Sequence, residues 1–136
     1  MKEFEFYLKK NEVKRQKADL MLSHASFHEA LDRLAFANNI FGKEQDKYVL
    51  ENAYEAMREA ADALLYREGY KSYSHEASIV FLLRKGFSEQ EIAEFDRFRR
   101  IRNTIKYSGG SCDREDARMA LEFSKRIIDK IKPLLT

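Results

Sequence analysis

The residues that could do chemistry crowd into one short run, Arg97-Phe98-Arg99-Arg100-Ile101-Arg102-Asn103-Thr104-Ile105-Lys106-Tyr107, with five Lys/Arg side chains and no acid. Such a cluster can sit on phosphates, because the Arg fork matches phosphate oxygens two at a time. Arg97 and Arg100 read as ordinary solvated positions. Arg102 does not. Ile92, Phe95, Phe98, Ile101 and Ile105 recur at steps of three and four, which is one apolar face of a helix. At about 100° per residue, Arg102 falls inside that arc, between Phe95 and Phe98. Arg99 and Lys106 lie at its edge. A guanidinium is seldom buried without a partner, so Arg102 answers either a ligand or an acid of this chain or of a second copy. Tyr107 follows at the helix end, where a phenol can bond a phosphate or stack on a base. Asn103 can position either group.

The remaining candidates are weaker. His24 and His28 stand four apart, a metal-ligand spacing in principle, but no third ligand is near. The reading is no metal. His75 follows Ser74 at a helix start and is either part of the cap or a site residue facing Arg102. A glycine-rich phosphate loop, a Cys pair and a nucleophile elbow are all absent, so no cofactor is expected. Cys112 is the single cysteine, which excludes an intrachain disulfide and points weakly to a reducing compartment.

These groups must be held by helices. A chain of 136 residues with one Pro and five Gly has the length of one domain and favours long helices. Its 25 Lys+Arg against 23 Asp+Glu leave a net charge of +2, too small to name a partner. No apolar run reaches the roughly 18 residues of a membrane span, and no leader is read at the N-terminus, so the expectation is a cytoplasmic protein without membrane contact.

Residues 3–10 read as a short amphipathic piece, with 1–11 an N-terminal extension to a helical domain over 12–132. The first long helix is expected from Glu12 to about Phe41, with a seam of Leu20, His24, Phe27, Leu31, Leu34, Asn38 and Phe41. The second runs from about Lys43 to Glu68, its core side carrying Leu50, Ala53, Tyr54, Met57, Ala60, Ala61, Leu64 and Leu65. Glu51 with Glu55, and Arg58 with Asp62, are assigned to the opposite, outer face. Tyr70–Ser74 reads as a polar loop, and Ser74 caps a third helix that ends at Gly86. The Arg102 helix opens on a capping box, Ser88 with Glu91, and stops at Gly109-Gly110. A last helix runs from the cap at Asp113 to Lys132. No strand is expected. The sum is an all-α, up-and-down bundle of about five helices.

Three stretches taken together resemble the HEPN family (higher eukaryotes and prokaryotes nucleotide-binding): Tyr54–Leu65, Gly69–Ala77 with its Ser-His-Glu-Ala, and Arg102-Asn103-Thr104-Ile105-Lys106-Tyr107. The resemblance runs from about Glu12 to Ile131 and implies the same all-α bundle. Many members are metal-independent ribonucleases, often toxins of toxin–antitoxin pairs; others only bind and sit beside a minimal nucleotidyltransferase. The nuclease motif is Arg, commonly a polar residue, then His after four to six residues. Carried over, Arg102 matches the Arg and Asn103 the polar residue, and the His position falls on Tyr107. The family habit of dimerising with motifs face to face implies a homodimer.

The His-to-Tyr change matters. Metal-free RNA cleavage needs a base for the 2′-hydroxyl and a cation for the phosphorane. A tyrosine titrates near 10, so only about one in a thousand is ionised at pH 7. Three readings follow. One is a HEPN-like domain that binds RNA, a nucleotide or a nucleotidyltransferase partner without efficient cleavage, using Arg102, Asn103 and Tyr107 with Arg99, Lys106 and His75 in support. Another is an active ribonuclease in which His75 or Tyr107 replaces the missing base. The last is a helical dimerisation module in which Arg102 only makes an ion pair.

Overall fold

The computed structural model describes residues 1–136. Six α-helices carry the fold: α1 (Phe4–Lys9), α2 (Leu20–Ile40), α3 (Asp46–Arg67), α4 (His75–Phe81), α5 (Glu89–Ser108) and α6 (Arg114–Ile131). A 3-10 turn, Leu82–Lys85, extends α4, and a second, Lys132–Leu135, ends the chain. The all-α bundle is as expected.

The centre of the bundle is α3. It packs on α2, α4, α5 and α6, and Leu50, Ala53, Tyr54, Met57, Ala60, Ala61 and Leu64 are fully buried. Its alanines let flanking helices come close, and that closeness is fixed by serine hydroxyls bonding α3 carbonyls. Ser23 Oγ donates to Ala63 O at 2.7 Å, Ser26 Oγ to Glu59 O at 2.7 Å, and Ser124 Oγ to Ala53 O at 2.9 Å. Because neighbours surround α3, its polar side is covered too. Glu55 is only 7% exposed, and Arg58 and Asp62 are half-buried beside it. The outer face assigned to these three is therefore corrected: they form an ionic ladder that is largely covered by neighbouring helices.

The α5 cap is as the sequence implied. Ser88 Oγ accepts from Glu91 N at 3.1 Å, and Ser88 N donates to the Glu91 carboxylate at 2.9 Å. Gly109 closes the helix in the left-handed region, φ +68°. Phe95 and Phe98 are fully buried, each contributing about 1.5–3 kcal/mol through burial. Thus the arc that holds Arg102 packs within this chain.

Two expectations near the N-terminus are corrected. First, a small antiparallel ribbon exists: β1 (Val13–Arg15) pairs with β2 (Tyr70–Ser72), in register Val13↔Ser72, Lys14↔Lys71 and Arg15↔Tyr70. Three-residue strands are too short to show a period-2 pattern. Their hydrogen bonds extend on both sides, with Tyr73 N donating to Glu12 O and Gln16 N to Gly69 O. Gly69 makes this possible. It sits at φ +86°, and a Cβ there would stand 2.7 Å from Gln16 O. Second, α2 therefore starts at Leu20 rather than Glu12, with the Asp19 carboxylate accepting from Leu22 N. Its seam splits: Ser23, Ala30 and Ala37 are buried with Phe27 and Leu34 packed beside them, while Leu20, His24, Leu31 and Asn38 face out. Phe4 and Tyr7 of α1 are buried, Phe4 against Tyr70 and Phe81.

Candidate functional site

The site is built on the ionic ladder. Arg58 donates through Nε and Nη2 to Glu55 Oε2 at 3.2 and 2.7 Å, and through Nη1 to Asp62 Oδ2 at 2.8 Å. Ser78 of α4 closes the far end, its hydroxyl donating to Asp62 Oδ1 at 2.6 Å. At the near end, Arg102 reaches across from α5 and sets Nη2 3.2 Å from Glu55 Oε1. This is a charge contact without hydrogen-bond alignment: Glu55 Oε1 and Arg102 Nε are both buried with no hydrogen-bond partner. One carboxylate thus serves two guanidiniums, and Arg102, 8% exposed, is incompletely satisfied. Its Nη1 donates to Asn103 Oδ1 at 3.2 Å. Burial pushes the Glu55 carboxyl up, but the Arg58 hydrogen bonds and the charges of Arg58 and Arg102 outweigh it and leave it below its ordinary value. Burial drives Asp62 the other way, up to about 6.

Above Arg102 opens a cleft of about 300 Å³, lined by His75, Glu76, Arg99, Arg102, Asn103 and Tyr107. Five of the residues singled out in the sequence share it. Lys106 does not line it and is exposed one position before Tyr107. Tyr107 stands at the rim, 71% exposed. Arg99 is braced by Asp96, Nε to Oδ1 at 2.7 Å, and lies 3.9 Å from Glu76 Oε1. Glu76 also accepts from the Tyr7 hydroxyl at 3.3 Å.

His75 is the most constrained member. Tyr54, on α3, brings its hydroxyl 3.0 Å from His75 Nδ1, with the two rings stacked. The imidazole is the only hydrogen-bond partner of that phenol. Burial, with Glu55 adding to it, holds the phenol above the ordinary tyrosine range, so its proton stays on. The phenol therefore donates to Nδ1, and the neutral imidazole carries its own proton on Nε2. Burial, then the charges of Arg58, Arg102 and Arg99, push His75 down to about 4. At neutral pH it offers the cleft a hydrogen-bond donor, not a base. We expect long-range 1H–15N NMR to show the Nε2–H tautomer and a midpoint near 4. Because the unfolded chain binds this proton near pH 6.5, His75 lowers stability as pH falls from about 6.5 to 4. Asp62, raised in the fold, opposes that trend over the same interval. Replacing His75 with Gln should therefore tilt the stability profile upward toward acid.

The cleft can recognise an anion: two guanidiniums and an imidazole N–H converge, with one carboxylate at the edge. A larger cleft of about 480 Å³ between α5 and α6 carries Glu91, Glu94 and Glu122 in its walls and has the wrong charge for that role. His24 and His28 are exposed on α2. Across the chain, no three His, Cys, Asp or Glu side chains are grouped to hold a metal ion. Cys112 is pushed up to about 11 by burial and by Asp116, Asp46 and Asp113, so it stays a thiol.

Sequence reasoning missed Tyr54, Glu55 and Glu76. The signal for Glu55 was present: Glu55, Arg58 and Asp62 stand at three- and four-residue steps, one line on a helix. It was indistinguishable from a solvated salt-bridge row until the neighbours of α3 were known.

The molecule is an all-α bundle whose central helix anchors an arginine beneath a cationic cleft. A model of the HEPN domain matches residues 23–134, and the chain belongs to that family. No curated protein matches the sequence. None of the helices is long and apolar enough to cross a membrane.

Proposed function

We propose that this HEPN domain binds RNA or a nucleotide by a phosphate in the Arg102 cleft and is not an efficient nuclease. The observation that carries this is the convergence of Arg99, Arg102 and His75 on one open cleft, with Tyr107 at its rim. Arg102 and Arg99 take phosphate oxygens, Asn103 steadies Arg102, and Lys106 adds positive potential from outside. The absence of a base supports the second half. His75 is held as a donor, and Tyr107 occupies the place of the motif histidine. Domain boundaries of 12–132, a homodimer, a cytoplasmic location and a toxin–antitoxin-like pairing with a minimal nucleotidyltransferase belong to the same proposal and rest on family resemblance.

One observation favours the structural reading: Arg102 is bridged to Glu55 of its own chain. The binding reading is preferred because Arg102 also lines an open cleft shared with Arg99 and His75. The test is two assays on wild type and Arg102→Ala, with circular dichroism to verify folding. In the first, a mixed RNA is incubated in EDTA, and no cleavage above background is expected from either protein. In the second, uridine monophosphate is titrated by NMR. Loss of a charged hydrogen-bonding group should weaken binding about tenfold to a hundredfold. Wild-type cleavage that Arg102→Ala abolishes would turn the reading to an active ribonuclease. Equal behaviour of both proteins towards the nucleotide would leave Arg102 a structural residue.

A further inference from the structure

The ribbon that sequence reading missed carries a charge arrangement that the fold itself does not explain. Val13 is buried at 1% exposure and pairs with Ser72, so the next pair, Lys14 and Lys71, stands directly opposite on the other face. Like charges in that position destabilise a ladder. Neither lysine has an acid within ion-pair distance; instead their Nζ atoms sit 5.7 and 5.5 Å from the ring of Tyr73. Tyr73 is 60% exposed. Arg15, next along the strand and on the Val13 face, is exposed, its Nη1 donating to the Tyr70 hydroxyl at 3.2 Å. Lys9, Lys10 and Lys17 are also exposed, and from Lys9 to Lys17 five basic residues face a single acid, Glu12. The surface is therefore unneutralised positive charge with an aromatic ring among it. Adjacent cations suit successive phosphates, and an accessible ring flanked by them suits a stacked base. An acidic peptide would use the charges but leave the ring without a role.

The ribbon also adjoins the cleft. Tyr73 is followed by Ser74, which caps α4 by accepting from Ala77 N, and then by His75 of the cleft. Two residues span at most about 7 Å of chain. We infer that the β1–β2 ribbon is a second contact surface for single-stranded RNA, Lys14 and Lys71 holding phosphates and Tyr73 a base, so that the ligand is an oligonucleotide rather than a mononucleotide. This rests on the cleft taking a phosphate, as proposed above.

The experiment measures binding of uridine monophosphate and of a fluorescent twelve-residue oligouridylate to wild type, Lys14→Gln/Lys71→Gln, and Tyr73→Ala. All three sites are at the surface, and thermal melts check folding. The wild type should bind the oligonucleotide at least about tenfold tighter than the monophosphate. The double variant should lose about tenfold on the oligonucleotide alone, and its salt slope should fall by about 1.4, from about 0.7 per phosphate contact on a single strand. Tyr73→Ala should lose about tenfold without a change in slope. Wild-type oligonucleotide affinity in the double variant would overturn the ribbon's role. So would a wild type that holds the monophosphate in the cleft but gains nothing from length, and there the cleft reading would stand. A wild type that binds neither would sink both. Equal affinity for a polyglutamate of matched charge would assign the patch to acidic chains instead.

Discussion

Glu55→Ala lowers the unfolding free energy by about 3–5 kcal/mol, read from urea melts at pH 7. This is a large fraction of the roughly 5–15 kcal/mol that holds a domain together. Glu55 is the one carboxylate shared by Arg58 and Arg102, and all three side chains are largely shielded from water. Removing one partner of a buried pair strands the other charge. Here Arg58 keeps Asp62, at 2.8 Å, whereas Arg102 keeps only Asn103. The destabilisation should therefore fall mainly on α5. A double-mutant cycle checks this: Glu55→Ala with Arg102→Ala should cost less than the sum of the two single changes. Glu55→Gln, which keeps volume and some hydrogen bonding, should cost less than Glu55→Ala. The pH dependence has a definite sign. The folded carboxyl lies below its ordinary value, so its contribution is complete above about pH 4.5 and drains as pH falls through the folded value. That part of the acid slope should be missing in Glu55→Ala. Unchanged melts would mean the guanidiniums are solvated and the ladder is not a structural anchor.

The same three residues show what the sequence could carry. Local signals were decisive at three helix ends. Ser88 with Glu91 and Asp113 with Asp116 open their helices, and Gly109 closes one, as their types dictate. Arg102 was visible because a charge interrupting a regular apolar arc is a contradiction within one helix. Glu55, Arg58 and Asp62 were not, because their burial depends on four other helices, and a row of charges at helical spacing looks alike in water and in a core. The ribbon failed for another reason. Val13–Arg15 and Tyr70–Ser72 are brought together across more than fifty residues by the turn at Gly69, and neither strand is long enough to declare itself. His75 was left open between cap and site, and it is both beside the cap and in the cleft. Its proton is placed by Tyr54, a residue 21 positions away.

Fold and chemistry meet in that proton. The stacked Tyr54 and the nearby guanidiniums favour the neutral Nε2–H form of His75, which makes it a poor base and, on the proposed reading, a hydrogen-bond donor to a phosphate. A residue cannot hold that proton for a ligand and also accept one from a 2′-hydroxyl. On the reading proposed above, Arg102 and Arg99 supply the electrophilic half of a cleavage site and the basic half is missing.

Supplying that half should create activity. Tyr107→His is expected to raise metal-free RNA cleavage by about 10²- to 10⁴-fold, the usual worth of a positioned acid–base group. Position 107 lies at the open rim, so a histidine there would be solvated and would titrate near its reference value of about 6.5. At pH 7 it would be mostly unprotonated and able to take the 2′-hydroxyl proton. Arg102 would remain in place to stabilise the phosphorane charge. The measurement is cleavage of a fluorescent RNA in EDTA across pH 5–9. The gained rate should rise with pH through the histidine midpoint, and Arg102→Ala added to Tyr107→His should abolish it. A Tyr107→Phe control should stay as inactive as wild type, because it removes only the hydroxyl. If Tyr107→His gains nothing while still binding the RNA, the missing base is not what limits this cleft. The scissile phosphate must then lie elsewhere than over Arg102.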